Sequence, residues 1–189
     1  MPDPASLCPD AIALAHDAPI PTDCRVLLSH RLTPRILAWL SAGGRLIHFA
    51  SRGRGALPNV YEWFFGQCPL VIEQGPIGPG DSQWIVELLG TDLTRTYARM
   101  IPSDSLGITD LVDPLIRYVY IHDARESLRF FDGLFMTRVG KGVLMVSSLD
   151  HHDPAGQYLL ARMIRFMQHP DAWAQREMPA SMVAQWTWV

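Results

Sequence analysis

The chain has 189 residues, enough for one domain with a real core. Lys and Arg number 16 against 19 Asp and Glu, a net charge of −3. That balance removes any overall electrostatic pull toward DNA, RNA or anionic membrane. No apolar run approaches the roughly 20 residues of a membrane helix, and Met1-Pro-Asp-Pro lacks the basic start and apolar stretch of a secretory signal. The chain therefore reads as soluble, with neither a nucleic-acid nor a membrane partner. Cys8, Cys24 and Cys68 are odd in number and irregularly spaced, which fits neither a disulfide framework nor a zinc site.

Residues 1–23 form a leading segment rich in Pro, Ala and Asp. Residues 24–29 are an apolar run of strand length. Thr33 then caps a helix with Pro34 at its first position, where no amide hydrogen is needed. Ile36, Leu37 and Leu40 share its apolar face, and Gly43-Gly44 end it. Residues 45–50 give a second strand, so 24–50 form a βαβ unit with parallel strands. A loop follows over 51–59, then a short aromatic helix over 60–65. Residues 70–73 read as a short strand. Asp81 caps a helix reaching Leu89, and 96–101 and 115–122 read as strands. Residues 130–139 and 143–149 flank Gly140-Lys141-Gly142 as a β-hairpin. Asp153 caps a last helix over 154–168, with Ala155, Leu159, Met163, Ile164 and Phe166 or Met167 as its buried stripe. Residues 170–189 form a tail carrying Trp173, Trp186 and Trp188. This order predicts a mostly parallel sheet with antiparallel additions, in one domain.

Three stretches, with a fourth strand beside them, carry a resemblance. Ala42-Gly-Gly-Arg-Leu-Ile-His-Phe49 resembles the glycine turn and strand of class I glutamine-amidotransferase-like domains. Asp81-Ser-Gln-Trp84 is similar to a helix start in accessory domains of family 2 glycoside hydrolases, the β-galactosidase-like enzymes. The run from Leu134 to Asp150, with Gly140-Lys141-Gly142 at its turn, resembles their hairpin, and the Pro154-Ala155 helix with Leu159-Leu160 follows as theirs does. Pro114 to Val119 is similar to one of their strands. The resemblance spans roughly residues 24–170. It implies a flavodoxin-like three-layer α/β sandwich whose mostly parallel sheet ends in an antiparallel C-terminal hairpin. It also implies a non-catalytic role beside a sugar-cleaving barrel. The partners would be other domains of a larger enzyme, or further copies of the chain.

Active amidotransferases use a cysteine at a sharp strand-to-helix turn, activated by a histidine that a glutamate orients. Gly66-Gln67-Cys68 is the one similar context, but Leu70 replaces the second glycine and Pro69 removes an oxyanion-hole amide. The histidine position of that family, after a late strand and before the last helix, is occupied here by Asp150-His151-His152-Asp153. Two histidines and two carboxylates there suit either an acid–base cluster or a polar helix-capping loop. A small hydrolase or amidotransferase-like enzyme working through His151, His152 and Cys68 is thus the first alternative. The second is an anion site at Ser51-Arg52-Gly53-Arg54-Gly55, where two arginines and glycine amides follow a strand. Its spacing matches neither a dinucleotide fingerprint nor a P-loop, and no cofactor is expected. Trp63 and Trp84 could stack on a sugar ring or pack in the core. Glu62, Glu73, Asp81 and Glu87 fall on separate elements.

Overall fold

The computed structural model describes residues 10–15, 18–50, 57–61, 69–89, 99–120 and 128–187. Its first pairing is β1 (Leu27–Ser29) beside β2 (Arg45–Phe49), parallel, with helix α1 (Pro34–Ser41) as the crossover. α1 starts where the sequence puts it. Thr33 is extended and its Oγ1 accepts the amide of Ile36 at 3.2 Å, while Gly43 turns the chain out with φ 123°. β1 is shorter than its apolar run. Pairing begins only at Leu27, because its partner Leu46 lies next to the start of β2, and 24–26 have no strand to pair with.

Next come β3 (Val60–Tyr61), β4 (Pro69–Val71), α2 (Asp81–Leu89) and β5 (Arg99–Met100). β3 corrects the expected aromatic helix at its first two residues. Val60 and Tyr61 pair antiparallel with Met100 and Arg99, and this pairing overrides local helix preference. Residues 62–65 of that expectation lie outside the described residues. β6 (Asp113–Tyr120), β7 (Arg129–Val139), β8 (Gly142–Ser147), α3 (Pro154–Gln168) and α4 (Ala180–Ala184) complete the order.

The main sheet has six strands in the order β1-β2-β8-β7-β6-β4. The pairs β1–β2 and β2–β8 are parallel, and β8–β7, β7–β6 and β6–β4 are antiparallel. The sheet is therefore mixed. The parallel part expected from the βαβ unit occupies one end, and antiparallel pairing takes the rest.

Alternation along the strands divides the core in two. Ile47, Phe49, Val143 and Met145 join Leu159, Leu160, Met163, Ile164 and Met167 of α3 and Ile85 of α2. Leu46, Leu144, Val146 and Phe135 join Ile36 and Leu40 of α1 and Val183 of α4. Trp186 of the tail packs against this second cluster, while Trp173 is 53% exposed beneath the guanidinium of Arg138. Trp188 lies outside the described residues.

Two residues join β7 to β8, Gly140 (φ 60°) and Lys141. The turn sits on the end of α1. The Lys141 amide donates to the Ser41 carbonyl at 3.0 Å, and the Val143 amide donates to that of Gly44 at 3.1 Å. A Cβ on Gly142 would lie 2.0 Å from the Leu40 oxygen and 2.5 Å from that of Gly44. Backbone cannot swing aside as a side chain can. Gly142→Ala is expected to cost about 2–3 kcal/mol in urea unfolding. A loss below about 0.5 kcal/mol would show that the turn does not bear on α1 this closely.

Candidate functional site

The C-terminal ends of β1, β2 and β8 lie side by side, the edge at which α/β proteins commonly bind ligands. Phe49 closes β2 opposite Ser147, which closes β8, and the Ala50 amide donates to the Ser147 carbonyl at 2.8 Å. From Ser147 the chain loops through Asp150-His151-His152-Asp153 into α3. This is the loop that the sequence singles out.

Its two histidines have opposite environments. His151 is buried, 4% exposed. Its Nδ1 lies 2.9 Å from the Gly156 carbonyl, and its Nε2 lies 2.9 Å from Ser147 Oγ. A carbonyl can only accept, so Nδ1 carries the hydrogen and Nε2 accepts from the Ser147 hydroxyl. That hydroxyl oxygen in turn accepts the Leu149 amide at 3.2 Å. The ring meets Phe49 edge-on at 5.4 Å, and His30 packs on Phe49 at 5.1 Å. Burial pushes the His151 pKa down to about 4, against the opposing pull of the Gly156 bond and the Asp150 carboxylate. His151 is therefore neutral at pH 7. His152 is exposed, and its amide donates to Asp150 Oδ1 at 2.9 Å. Asp153 stands at the N-cap of α3 in extended conformation, but its side chain makes no capping hydrogen bond.

A serine bonded to a neutral imidazole whose far nitrogen is oriented resembles a nucleophile–base pair. Here the orienting group is a backbone carbonyl, and Ser147 is 1% exposed within a paired strand. A base must come within hydrogen-bond reach of its substrate. This pair is closed off, and what it does is tie the end of β8 to the first turn of α3. Gly156 permits that closure, since a Cβ there would lie 2.1 Å from the Asp150 oxygen. In the sequence Ser147 sits inside an apolar strand and reads as structural, but its bond to His151 is not visible there.

Trp84 has a different setting, on the first turn of α2. Its indole N–H donates to Asp81 Oδ1 at 3.0 Å, and its ring meets Tyr158 edge-on at 5.5 Å. Asp81 Oδ2 accepts the Gly78 amide at 2.7 Å and pairs with Arg162 at 2.9 Å. Glu73 braces the same turn by accepting from the Ser82 hydroxyl at 2.6 Å and the Gly80 amide at 2.9 Å. These bonds hold both carboxyls below their usual range, the largest cause being the Ser82 hydroxyl for Glu73 and the indole N–H for Asp81. Asp81 and Trp84, read as a helix start, thus form a brace joining α2 to α3. Tyr158 remains 51% exposed beside them.

Arg52, Arg54, Trp63 and Cys68 lie outside the described residues, as do Cys8 and Glu62. Cys24, which is described, donates to the Val26 carbonyl, and burial raises its pKa, which keeps it a thiol. It borders an open depression at the N-terminal edge of the sheet with Arg25, Trp39, Gly44, Arg45 and Pro170. Arg45 is committed there. Its guanidinium donates to the carbonyls of Met167, His169 and Pro170, at the negative end of α3. Among the described residues, no three His, Cys, Asp or Glu side chains are grouped to hold a metal ion, and no helix is long and apolar enough to cross a membrane. No protein-family model matches the chain, and no curated protein is significantly similar to it.

Proposed function

We propose that this chain is a non-catalytic accessory domain of a carbohydrate-active enzyme, with the flavodoxin-like layering that its resemblance implies. The observation that carries the non-catalytic part is the state of His151. The histidine in the amidotransferase position is buried, neutral, and bonded through both ring nitrogens to the end of β8 and the first turn of α3. The other stretches of the resemblance also serve the scaffold. Gly43 ends α1, Asp81 and Trp84 brace α2, and Gly140 to Gly142 dock the hairpin. Residues committed this way suit a domain that packs beside a catalytic barrel or against further copies of itself.

The test is a turnover screen of the purified chain on aryl glycosides, aryl esters and glutamine. Background rates are expected throughout, unchanged by Ser147→Ala or Cys68→Ser. Turnover that disappears in either variant while it remains folded would overturn the reading. Ser147→Ala should still lower stability by about 1–2 kcal/mol, because it leaves the buried Nε2 of His151 without its donor. A melting temperature equal to that of the parent would show that the Ser147–His151 bond contributes nothing to holding β8 to α3.

A further inference from the structure

β1 is an edge strand of only three residues. Parallel pairing with β2 holds it, together with the packing of the half-buried Leu28 and Leu27 against the two core clusters and a bond from His48 Nδ1 to the Ser29 carbonyl at 3.1 Å. His48 is 0% exposed, and its Nε2 has no hydrogen-bond partner. The ring lies on the Leu46 face of β2, level with Val146 on β8. β1 brings Ser29 and His30 to it, and among the described residues His30 is the titratable side chain that acts on it, through like-charge repulsion. Among the described residues, no carboxylate offsets a charge there.

Nδ1 faces a carbonyl and already carries hydrogen, so a proton can add only at Nε2. Adding it creates a buried N–H without an acceptor and a buried charge without a counter-ion. Water is the available remedy, and lifting a three-residue edge strand is the shortest way to admit it.

We propose that β1 is a proton-released edge strand and that His48 is its trigger. While β1 is paired, burial keeps the imidazole pKa near 4. Once the strand lifts, the ring returns toward its ordinary value of about 6.5. Opening therefore takes up a proton, and the open fraction rises as pH falls below about 6.5. Between pH 7 and pH 5 these two values give roughly a twentyfold rise in the opening equilibrium.

The test is amide hydrogen exchange on the whole chain at pH 7, 6 and 5, in low urea, with intrinsic exchange rates divided out. The expected result is roughly twentyfold more opening of the β1 amides at pH 5, insensitive to urea because the opening is local. His48→Gln should abolish the rise. Opening that ignores pH overturns the proposal, and so does a rise that survives His48→Gln. A urea slope matching that of the β7–β8 amides also overturns it, because exchange would then report whole-chain unfolding. If His48→Gln does not fold, imidazole titration of the parent chain by NMR decides. A midpoint near 4 is expected, and one near 6.5 leaves no proton to be gained on opening.

Discussion

Lowering the pH from 7 to 4 is expected to remove about 6 kcal/mol of folding stability, most of it before any exposed carboxylate protonates. The source is two buried imidazoles. His48 and His151 are both held near pKa 4 by burial, against about 6.5 in the unfolded chain. Above pH 6.5 both states carry neutral rings, and the histidines contribute no pH dependence. Below 6.5 the unfolded chain takes up two protons that the folded chain refuses, so stability falls. The fall levels off below pH 4, where the folded rings protonate as well. Each ring is worth about 3 kcal/mol between pH 7 and pH 4, and about 2 kcal/mol by pH 5. Urea unfolding at pH 7, 6, 5 and 4.5 checks this. A fall of roughly 4 kcal/mol by pH 5 is expected, halved in His48→Gln or in His151→Gln. A fall below about 1 kcal/mol would show that the rings are hydrated in the folded chain.

What the sequence made legible was local. The Thr33 cap, Pro34 and the exit at Gly43 specify α1 within ten residues, and the structure keeps every part. Gly140-Lys141-Gly142 between apolar runs specifies a hairpin, and β7 and β8 pair antiparallel across it, although Gly142 already belongs to β8 and β8 ends at Ser147 rather than at 149. Asp81 and Trp84 stand three apart on a helix, which places their side chains on one face. Less legible was anything decided by partners distant in sequence. β4 pairs with β6 across 45 residues, antiparallel, and nothing in Pro69–Val71 fixes that choice. His48 looks like one polar residue in an apolar strand, and only the neighbouring strands make it a buried imidazole whose Nε2 has no hydrogen-bond partner. The loop at His151 is legible as a place and illegible as a role. Its spacing suits an acid–base cluster or a polar capping loop alike, and only the structure shows that His151 is buried and bonded to the Ser147 hydroxyl.

The same distinction gives the second large effect. Asp132→Ala is expected to cost about 3–5 kcal/mol. Asp132 is fully buried on β7, and Arg117 on β6 grips both its oxygens, Nε to Oδ1 at 2.7 Å and Nη2 to Oδ2 at 2.8 Å. The Ser103 hydroxyl bonds Oδ2 as well, and the backbones of Asp132 and Ile101 exchange amide–carbonyl bonds at 2.9 and 3.0 Å. One carboxylate thus fastens the segment after β5 onto the sheet. Arg117 is 8% exposed, with its guanidinium over the Phe130 ring, so it cannot turn to water when its partner is removed. Most of the expected cost is that stranded cation rather than the pair's own attraction. Replacing both partners, as Arg117→Met with Asp132→Leu, should therefore recover most of the loss. Guanidinium unfolding of the two single variants and the double variant measures the coupling. Additive losses would mean that the cation finds water or another anion once Asp132 is gone. Recovery in the double variant would place the cost on the unpaired charge, and faster exchange of the Ile101 amide in Asp132→Ala would show the fastened segment coming loose.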